Sequence, residues 1–279
     1  MSDIQIDDPV IAKQTPRADF TIDQCWDEYT AEEHEVWDIL YHRQIEILAD
    51  RAAPVFLDGL KRLELSRSGI PDLARLNKAL KALTGWEVVM VPHLVPDEVF
   101  FDHLANRRFP AGRFIRKRSQ LDYLQEPDVF HDIFGHVPML AYPVFADYMQ
   151  AYGQGGLRAA KLGRLKNLAR LYWYTVEFGL IQTEAGLRIY GAGIVSSAGE
   201  SRYALEDEKP NRIGFDLERV MRTNYEIDDF QKSYFVIESY EQLFEATQQD
   251  FGPIYAQLGE DETAYTSSEV LAKDNLLKL

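Results

Sequence analysis

The sequence predicts a mainly α fold with small β elements, built as a single domain. Three observations carry this reading. Apolar residues recur at helical spacing over most of the chain, capping and breaking residues bracket those stretches, and the strand-like runs are few and short. No repeat, low-complexity tract or linker divides the 279 residues, of which 46% are hydrophobic, enough for one substantial core.

Taken in order, residues 1–18 read as a flexible N-terminal tail and residues 19–262 as the folded domain, with 263–279 as a C-terminal extension. Thr30-Ala31-Glu32-Glu33 is a capping-box pattern, in which threonine and glutamate satisfy each other's backbone N–H groups, and it opens a helix through about Leu48. A second helix is expected over Ala53 to Leu65. After the Ser68-Gly69-Ile70-Pro71 punctuation a third runs from Asp72 to about Leu83 and closes near Gly85. Trp86 to Val91 is strand-like, Pro96 can start a short helix through Leu104, and Arg113 to Lys117 reads as a short strand. Pro127 suits the first turn of a helix carrying His131. Further helices are expected at about 143–160, 164–181, 215–223 and 239–256, with strand-like pieces at 187–190 and 233–237.

Composition excludes several classes. A formal net charge of −15 argues against nucleic acid, whose phosphates need clustered cations, and against anionic membrane surfaces. Cys25 is the single cysteine, so no disulfide framework or multi-cysteine metal site can form. Met1 to Phe20 is acidic and lacks an apolar core, unlike a signal peptide. No stretch approaches the roughly 20 apolar residues that span a bilayer. A cytoplasmic protein is expected.

The chemistry gathers around His131-Asp132-Ile133-Phe134-Gly135-His136, with Glu177 41 residues after His136. Two imidazoles and a carboxylate form the ligand set of a mononuclear non-haem iron(II) site, which leaves the opposite positions open. On an ideal helix residues five apart diverge by roughly 140°. Both rings therefore reach one metal only if the helix bends, widens or ends near Gly135. Glu177 lies in the helical stretch 164–181, whose C-terminal half is apolar nearly all round and so reads as buried. A buried carboxylate needs a cation or hydrogen-bond donors, and either an arginine or a metal would serve.

Other constellations carry less. His34 and His42 share a helix face but lack the preceding glutamates of di-iron bundles. The chain has no His-Glu-x-x-His, no Gly-x-Ser-x-Gly elbow and no phosphate-binding glycine loop, so protease, serine hydrolase and nucleotide readings lack support. A zinc-dependent hydrolase using the same two histidines and glutamate stays open at this point.

Three motifs in order, His131 to His136 with Val137-Pro138, Tyr172 to Leu180, and Gly191 to Glu200, resemble the tetrahydropterin-dependent aromatic amino acid hydroxylases, over about residues 20–260. Among them the chain is most similar to the short bacterial members that act on phenylalanine. The resemblance implies the single catalytic domain of that family, Fe(II), tetrahydrobiopterin or a related tetrahydropterin, O2, and conversion of L-phenylalanine to L-tyrosine. Hydroxylation of tryptophan or tyrosine is the alternative, since a methylene or hydroxyl in an apolar pocket changes discrimination by only ~1–3 kcal/mol.

By motif position the resemblance implies His131, His136 and Glu177 as metal ligands. It implies Arg116 as the holder of the substrate carboxylate, which a planar guanidinium can bind through two hydrogen bonds. Trp173, Gly193 and Ser196 fall around the substrate. Phe100 (or Phe101, one residue on) stacks on the pterin, with Asp132, Ala169 and Tyr172 on the same side. Asp128 is implied either to orient an imidazole or to cap the helix. Compared with animal members, only about 20 residues precede the domain, and Thr266 to Leu279 shows no sustained heptad. A monomer is therefore expected.

Overall fold

The computed structural model describes residues 8–122, 124, 126–258 and 264–277. Helix α1 (Ala31–Leu48) begins as expected: Thr30 accepts from the Glu33 N–H while the Glu33 carboxylate accepts from the Thr30 N–H. Helix α2 (Pro54–Arg62) follows. Helix α3 (Leu73–Thr84) is capped by the Asp72 side chain and stopped by Gly85, whose φ of 77° is the left-handed conformation glycine takes without strain.

Strand β1 (Glu87–Val91) pairs in parallel with β2 (Arg108–Gly112), joined by helix α4 (Asp97–Ala105). Here the expected strand at Arg113–Lys117 is displaced five residues toward the N-terminus. Pro110 argues against a strand from sequence alone, but a two-stranded sheet has only edges, where a missing N–H costs nothing. Residues 113–117 are irregular instead, and their arginines reach across the fold to buried carboxylates.

The next segment, Phe130–His136, is a π-helix, and it runs into α5 (Val137–Leu140) and the long α6 (Pro143–Lys161). Pro127 stands one residue before the Asp128 cap rather than in the first turn. Helix α7 (Leu165–Tyr172) passes into a second π-helix, Trp173–Glu177. The expected helix 164–181 therefore ends four residues early, and Leu180–Thr183 forms strand β3. A short apolar run cannot by itself distinguish a buried helix from a buried strand.

Strand β4 (Gly186–Ile189), short helices α8 (Ala192–Val195) and α9 (Ala198–Glu206), β5 (Asn211–Gly214), α10 (Leu217–Met221) and β6 (Ser233–Ile237) complete a four-stranded sheet of order β4-β3-β6-β5. Only β3–β4 is antiparallel. The expected helix 239–256 is two helices, α11 (Tyr240–Thr247) and α12 (Phe251–Leu258). One core of aromatic and aliphatic side chains underlies all of this, with Trp37, Phe56, Trp86, Phe109, Phe130 and Phe134 fully buried. Among the described residues no helix is long and apolar enough to cross a membrane.

Both ends of the described chain are fastened to this body. Residues 1–7 of the expected tail lie outside the described residues, but Val10 is buried and the Asp8 carboxylate pairs with Arg113 at 2.6 Å in an almost fully buried bridge. The C-terminal extension behaves alike. Arg219 and Asp274 form a buried ion pair, and Leu277 donates its N–H to the Arg212 carbonyl. Removing one partner strands the other charge away from water. Asp8→Ala and Asp274→Ala are each expected to lower unfolding stability by about 3 kcal/mol in denaturant titrations. Lys13→Ala, from an exposed pair, should change it by less than about 1 kcal/mol.

Candidate active site

The first π-helix resolves the geometric difficulty of the His131–His136 spacing. Its hydrogen bonds run from i to i+5 and its turn is wider than an α-turn, so residues five apart return to one face. Gly135 permits the close approach this needs, since a β-carbon there would lie 3.0 Å from the Ala192 carbonyl oxygen. The second π-helix does the corresponding work for Glu177: the Phe178 N–H bonds the Trp173 carbonyl five residues back, at 2.8 Å. Two widened turns thus face one another across the site.

Nε2 of His136 lies 3.2 Å from Nε2 of His131 and 3.0 Å from Oε1 of Glu177; Nε2 of His131 lies 3.6 Å from Oε2 of Glu177. Metal bonds of about 2.1 Å at right angles place neighbouring ligand atoms about 3 Å apart. The three residues therefore fit one metal ion on a single triangular face. Burial pushes His131 down to about 4, so it is neutral. Burial also opposes charge on His136 and Glu177, but their mutual attraction prevails, raising His136 and lowering Glu177.

Ser196 fixes which nitrogen of His131 carries the proton. Its hydroxyl donates to the Ala192 carbonyl at 2.7 Å, so its oxygen accepts from Nδ1–H of His131 at 2.9 Å. Nε2 is left with its lone pair aimed at the metal position, an orienting contact of the kind that tunes metal ligands. The sequence resemblance set Ser196 beside the substrate; the structure sets it against the imidazole. Gly193, also expected there, offers its backbone N–H to the Glu177 carboxylate.

Beside the triad opens a cleft of about 250 Å3. Phe100, Phe109, Phe114 and Tyr172 give it flat apolar walls, and His131, His136 and Glu177 form part of its floor. Phe100 meets Tyr172 edge-on at 5.8 Å, whereas Phe101 turns into the core against Tyr152. Of the two neighbouring phenylalanines, Phe100 is the one in the wall. Asp132 lines the same cleft, accepts the Gly112 N–H through Oδ2 at 2.7 Å, and is pushed up to about 7 by burial. A flat heteroaromatic ring fits such a slot. Ala169 lies one turn before Tyr172 and is half-buried, outside the lining. His93, Asp97 and Glu126 stand in the lining as well, unmarked by any motif.

Arg116 stands outside this lining and is already paired. Asp128, fully buried, grips its Nε and Nη2 at 2.8 and 2.9 Å and accepts its backbone N–H, leaving Nη1 outside the pair. The same carboxylate accepts the His131 N–H at 3.0 Å. Of the two roles weighed for Asp128, capping is present and imidazole contact is not; aiming Arg116 is the role the sequence reading missed. Burial alone would raise Asp128, but Arg116 holds it below the usual carboxylate range.

Trp173 sits half-buried, stacked on Tyr225 at 4.2 Å and donating its Nε1–H to Gln231 at 3.1 Å. Gln231 in turn donates its backbone N–H to Glu200, which also accepts the Tyr234 hydroxyl. The pairing through Gln231 was invisible to motif reading, because nothing in a lone Gln signals long-range contacts with Trp173 and Glu200.

The chain belongs to the biopterin-dependent aromatic amino acid hydroxylase family, whose model matches residues 21–275 and so reaches well into the expected C-terminal extension. Particular relatives narrow this. A protein of Caulobacter vibrioides named phenylalanine-4-hydroxylase is 70% identical over 87% of this chain and 82% of its own length. One of the same name from Ralstonia nicotianae is 66% identical over 88% and 79%. Crystal structures of phenylalanine hydroxylase from Chromobacterium violaceum, one with bound oxidised Fe(III), share 56% identity with a TM-score of 0.92, covering 95% of this chain and 97% of theirs. Another, bound to cobalt, has a TM-score of 0.93.

Two outcomes are expected from this site. Ser196→Ala should weaken Fe(II) or Co(II) binding by about 10- to 100-fold in anaerobic titrations, because Nδ1 loses its acceptor. The second concerns Glu200, pushed up to about 7 by burial. The folded state holds this proton more tightly than the unfolded chain, so its stabilisation is complete below about pH 4.5 and is lost as pH rises through about 7. Unfolding of wild type and Glu200→Gln, compared from pH 4.5 to 8, should show the wild type losing stability relative to the variant across that window.

Proposed function

We propose that the chain is an iron- and tetrahydropterin-dependent monooxygenase that hydroxylates L-phenylalanine to L-tyrosine with O2. The observation that carries this is the facial set of His131, His136 and Glu177 at the floor of a flat apolar cleft, in a chain of this family. Iron and tetrahydropterin, when bound, supply oxygen activation and the two electrons it requires.

The chain's own residues supply position and dryness. His131, His136 and Glu177 hold the iron on one face and leave the other open. Phe100 and Tyr172 stack against the pterin ring and keep it beside the metal, and the Asp132 carboxyl stands within the same slot as a hydrogen-bonding edge. Arg116, aimed by Asp128, takes the substrate carboxylate on the part of its guanidinium outside the Asp128 pair. With one end of the amino acid fixed, its ring is delivered to the iron past Trp173 and the Gly193 turn, a proximity effect. The apolar walls of Phe100, Phe109, Phe114 and Tyr172 give water little to hold beside the metal position.

The zinc hydrolase reading loses its support with the family match. Phenylalanine is favoured over tryptophan and tyrosine by the names of the relatives at 58–70% identity. A cytoplasmic monomer without nucleic-acid or membrane partners is the accompanying reading, in keeping with the charge of −15 and with large exposed apolar residues that are scattered along the chain.

Anaerobic loading with one equivalent of Fe(II), then turnover with each of the three amino acids, tests the reading; only phenylalanine should give efficient product. His131→Ala, His136→Ala and Glu177→Ala should each abolish it while the fold persists. Arg116→Lys keeps the charge but loses the planar fork, both for Asp128 and for the substrate. It is expected to raise the KM for phenylalanine at least tenfold and to consume pterin without an equal yield of tyrosine. An unchanged product-to-pterin ratio with an unchanged phenylalanine dependence would remove Arg116 from the substrate site.

A further inference from the structure

Gln231 and Glu200, which hold Trp173, are used by none of the steps above, yet the group is built with care. Gln231 is 1% exposed and Glu200 4% exposed. The Gln231 side chain donates to the Glu226 carbonyl at 2.8 Å, and its Oε1 accepts from both Trp173 Nε1 and the Glu226 N–H. The loop it closes carries Tyr225, whose ring lies flat against the indole at 16°. Phe178 flanks the indole at 5.0 Å. At its start the loop is pinned by Asn224, which accepts from Tyr174 and from Arg170. At its end the Gln231 N–H is held by Glu200 at 3.2 Å.

An indole resting on one stacked ring could still slide in its plane. The Nε1–H bond to Gln231 removes that freedom. Glu200 belongs to the same short segment as Ser196, which holds His131, so one stretch of five residues touches a metal ligand at its start and, through Gln231, the indole at its end. The position of the indole relative to the metal is thereby set by a continuous chain of hydrogen bonds and covalent backbone rather than by packing alone.

We propose that Gln231, anchored by Glu200, is a positioning residue that fixes the Trp173 indole as the wall against which the substrate ring is placed. This rests on the assignment of Trp173 to the substrate side. Removal of the Gln231 acceptor leaves the metal triad and the pterin cleft untouched, so the effect should fall on the amino acid alone.

The test uses iron-loaded Gln231→Leu, Gln231→Glu, Trp173→Phe and Trp173→Ala, with phenylalanine and pterin varied separately. Gln231→Leu removes three side-chain hydrogen bonds, and it is expected to raise the KM for phenylalanine about fivefold, the worth of the single one that reaches the indole. It should also lower the ratio of tyrosine to pterin consumed, with the pterin KM and iron stoichiometry as in wild type. Gln231→Glu, which keeps an acceptor oxygen, should restore most of the KM. Trp173→Phe removes the N–H donor together with one of the two fused rings, so it should be impaired at least as much as Gln231→Leu, and Gln231→Leu should add little in the Trp173→Phe background. Trp173→Phe keeps the test open if Gln231→Leu folds poorly, since wild-type values there would show the N–H to be dispensable. A merely structural role would lower thermal stability and leave the product ratio alone. A wild-type KM and ratio in Gln231→Leu or Trp173→Phe, beside altered values in Trp173→Ala, would overturn the positioning role and spare the substrate assignment. Wild-type values in Trp173→Ala as well would overturn both.

Discussion

The convergence of three buried donor atoms, Nε2 of His131, Nε2 of His136 and a Glu177 oxygen, is the constraint around which the fold is arranged. Two imidazole nitrogens 3.2 Å apart present lone pairs toward a shared point, beside a carboxylate withdrawn from water. Without a bound metal the carboxylate has only the neighbouring His136 to offset its charge. Everything near it serves to keep the three atoms from relaxing apart: two π-helical turns, the Gly135–Ala192 contact, the Ser196 hydroxyl and the stacked Phe130–Phe134 pair at 4.7 Å beneath. The binding energy of a metal is thus linked to the folding of the surrounding shell.

A second layer links this shell to the substrate side through carboxylates that never touch the metal. Asp128 joins Arg116 to the backbone of His131, and Glu200 joins the loop of Gln231 to the segment of Ser196. Each pairs groups distant in sequence, and each is buried. Their charges or protons are therefore kept by specific partners, which makes the geometry stiff. The stiffness matters because reacting atoms must be held within fractions of an ångström.

Much of this was legible in the sequence, for identifiable reasons. Local signals that act within one turn were read correctly: the Thr30–Glu33 box, the helix start at Asp72 and the Gly85 stop each depend on neighbouring residues only. The metal set was legible because its three residue types are rare together and their spacing posed a definite geometric question. What escaped depends on distance in sequence or on tertiary packing. The strand Arg108–Gly112 exists because β1 lies beside it, and Pro110 hid it. The end of the helix before Leu180 is set by pairing with β4 and β6, which no local apolar pattern announces. The partnership of Asp128 with Arg116, twelve residues earlier, and the anchoring of both chain ends by Asp8 and Asp274 are likewise long-range facts.

The widened turns carry a consequence for how this molecule can change. A π-turn is a less favoured way to wind a helix than an α-turn, and it survives here because tertiary contacts hold it. Substitutions that strengthen ordinary helix winding over Phe130–His136, at fixed length, would swing the two imidazoles roughly 140° apart. Along this stretch, then, local stability and chemical competence pull in opposite directions. A variant selected for heat resistance would be free to gain it at the capped surface helices, while the two segments that matter for turnover must stay imperfect as helices.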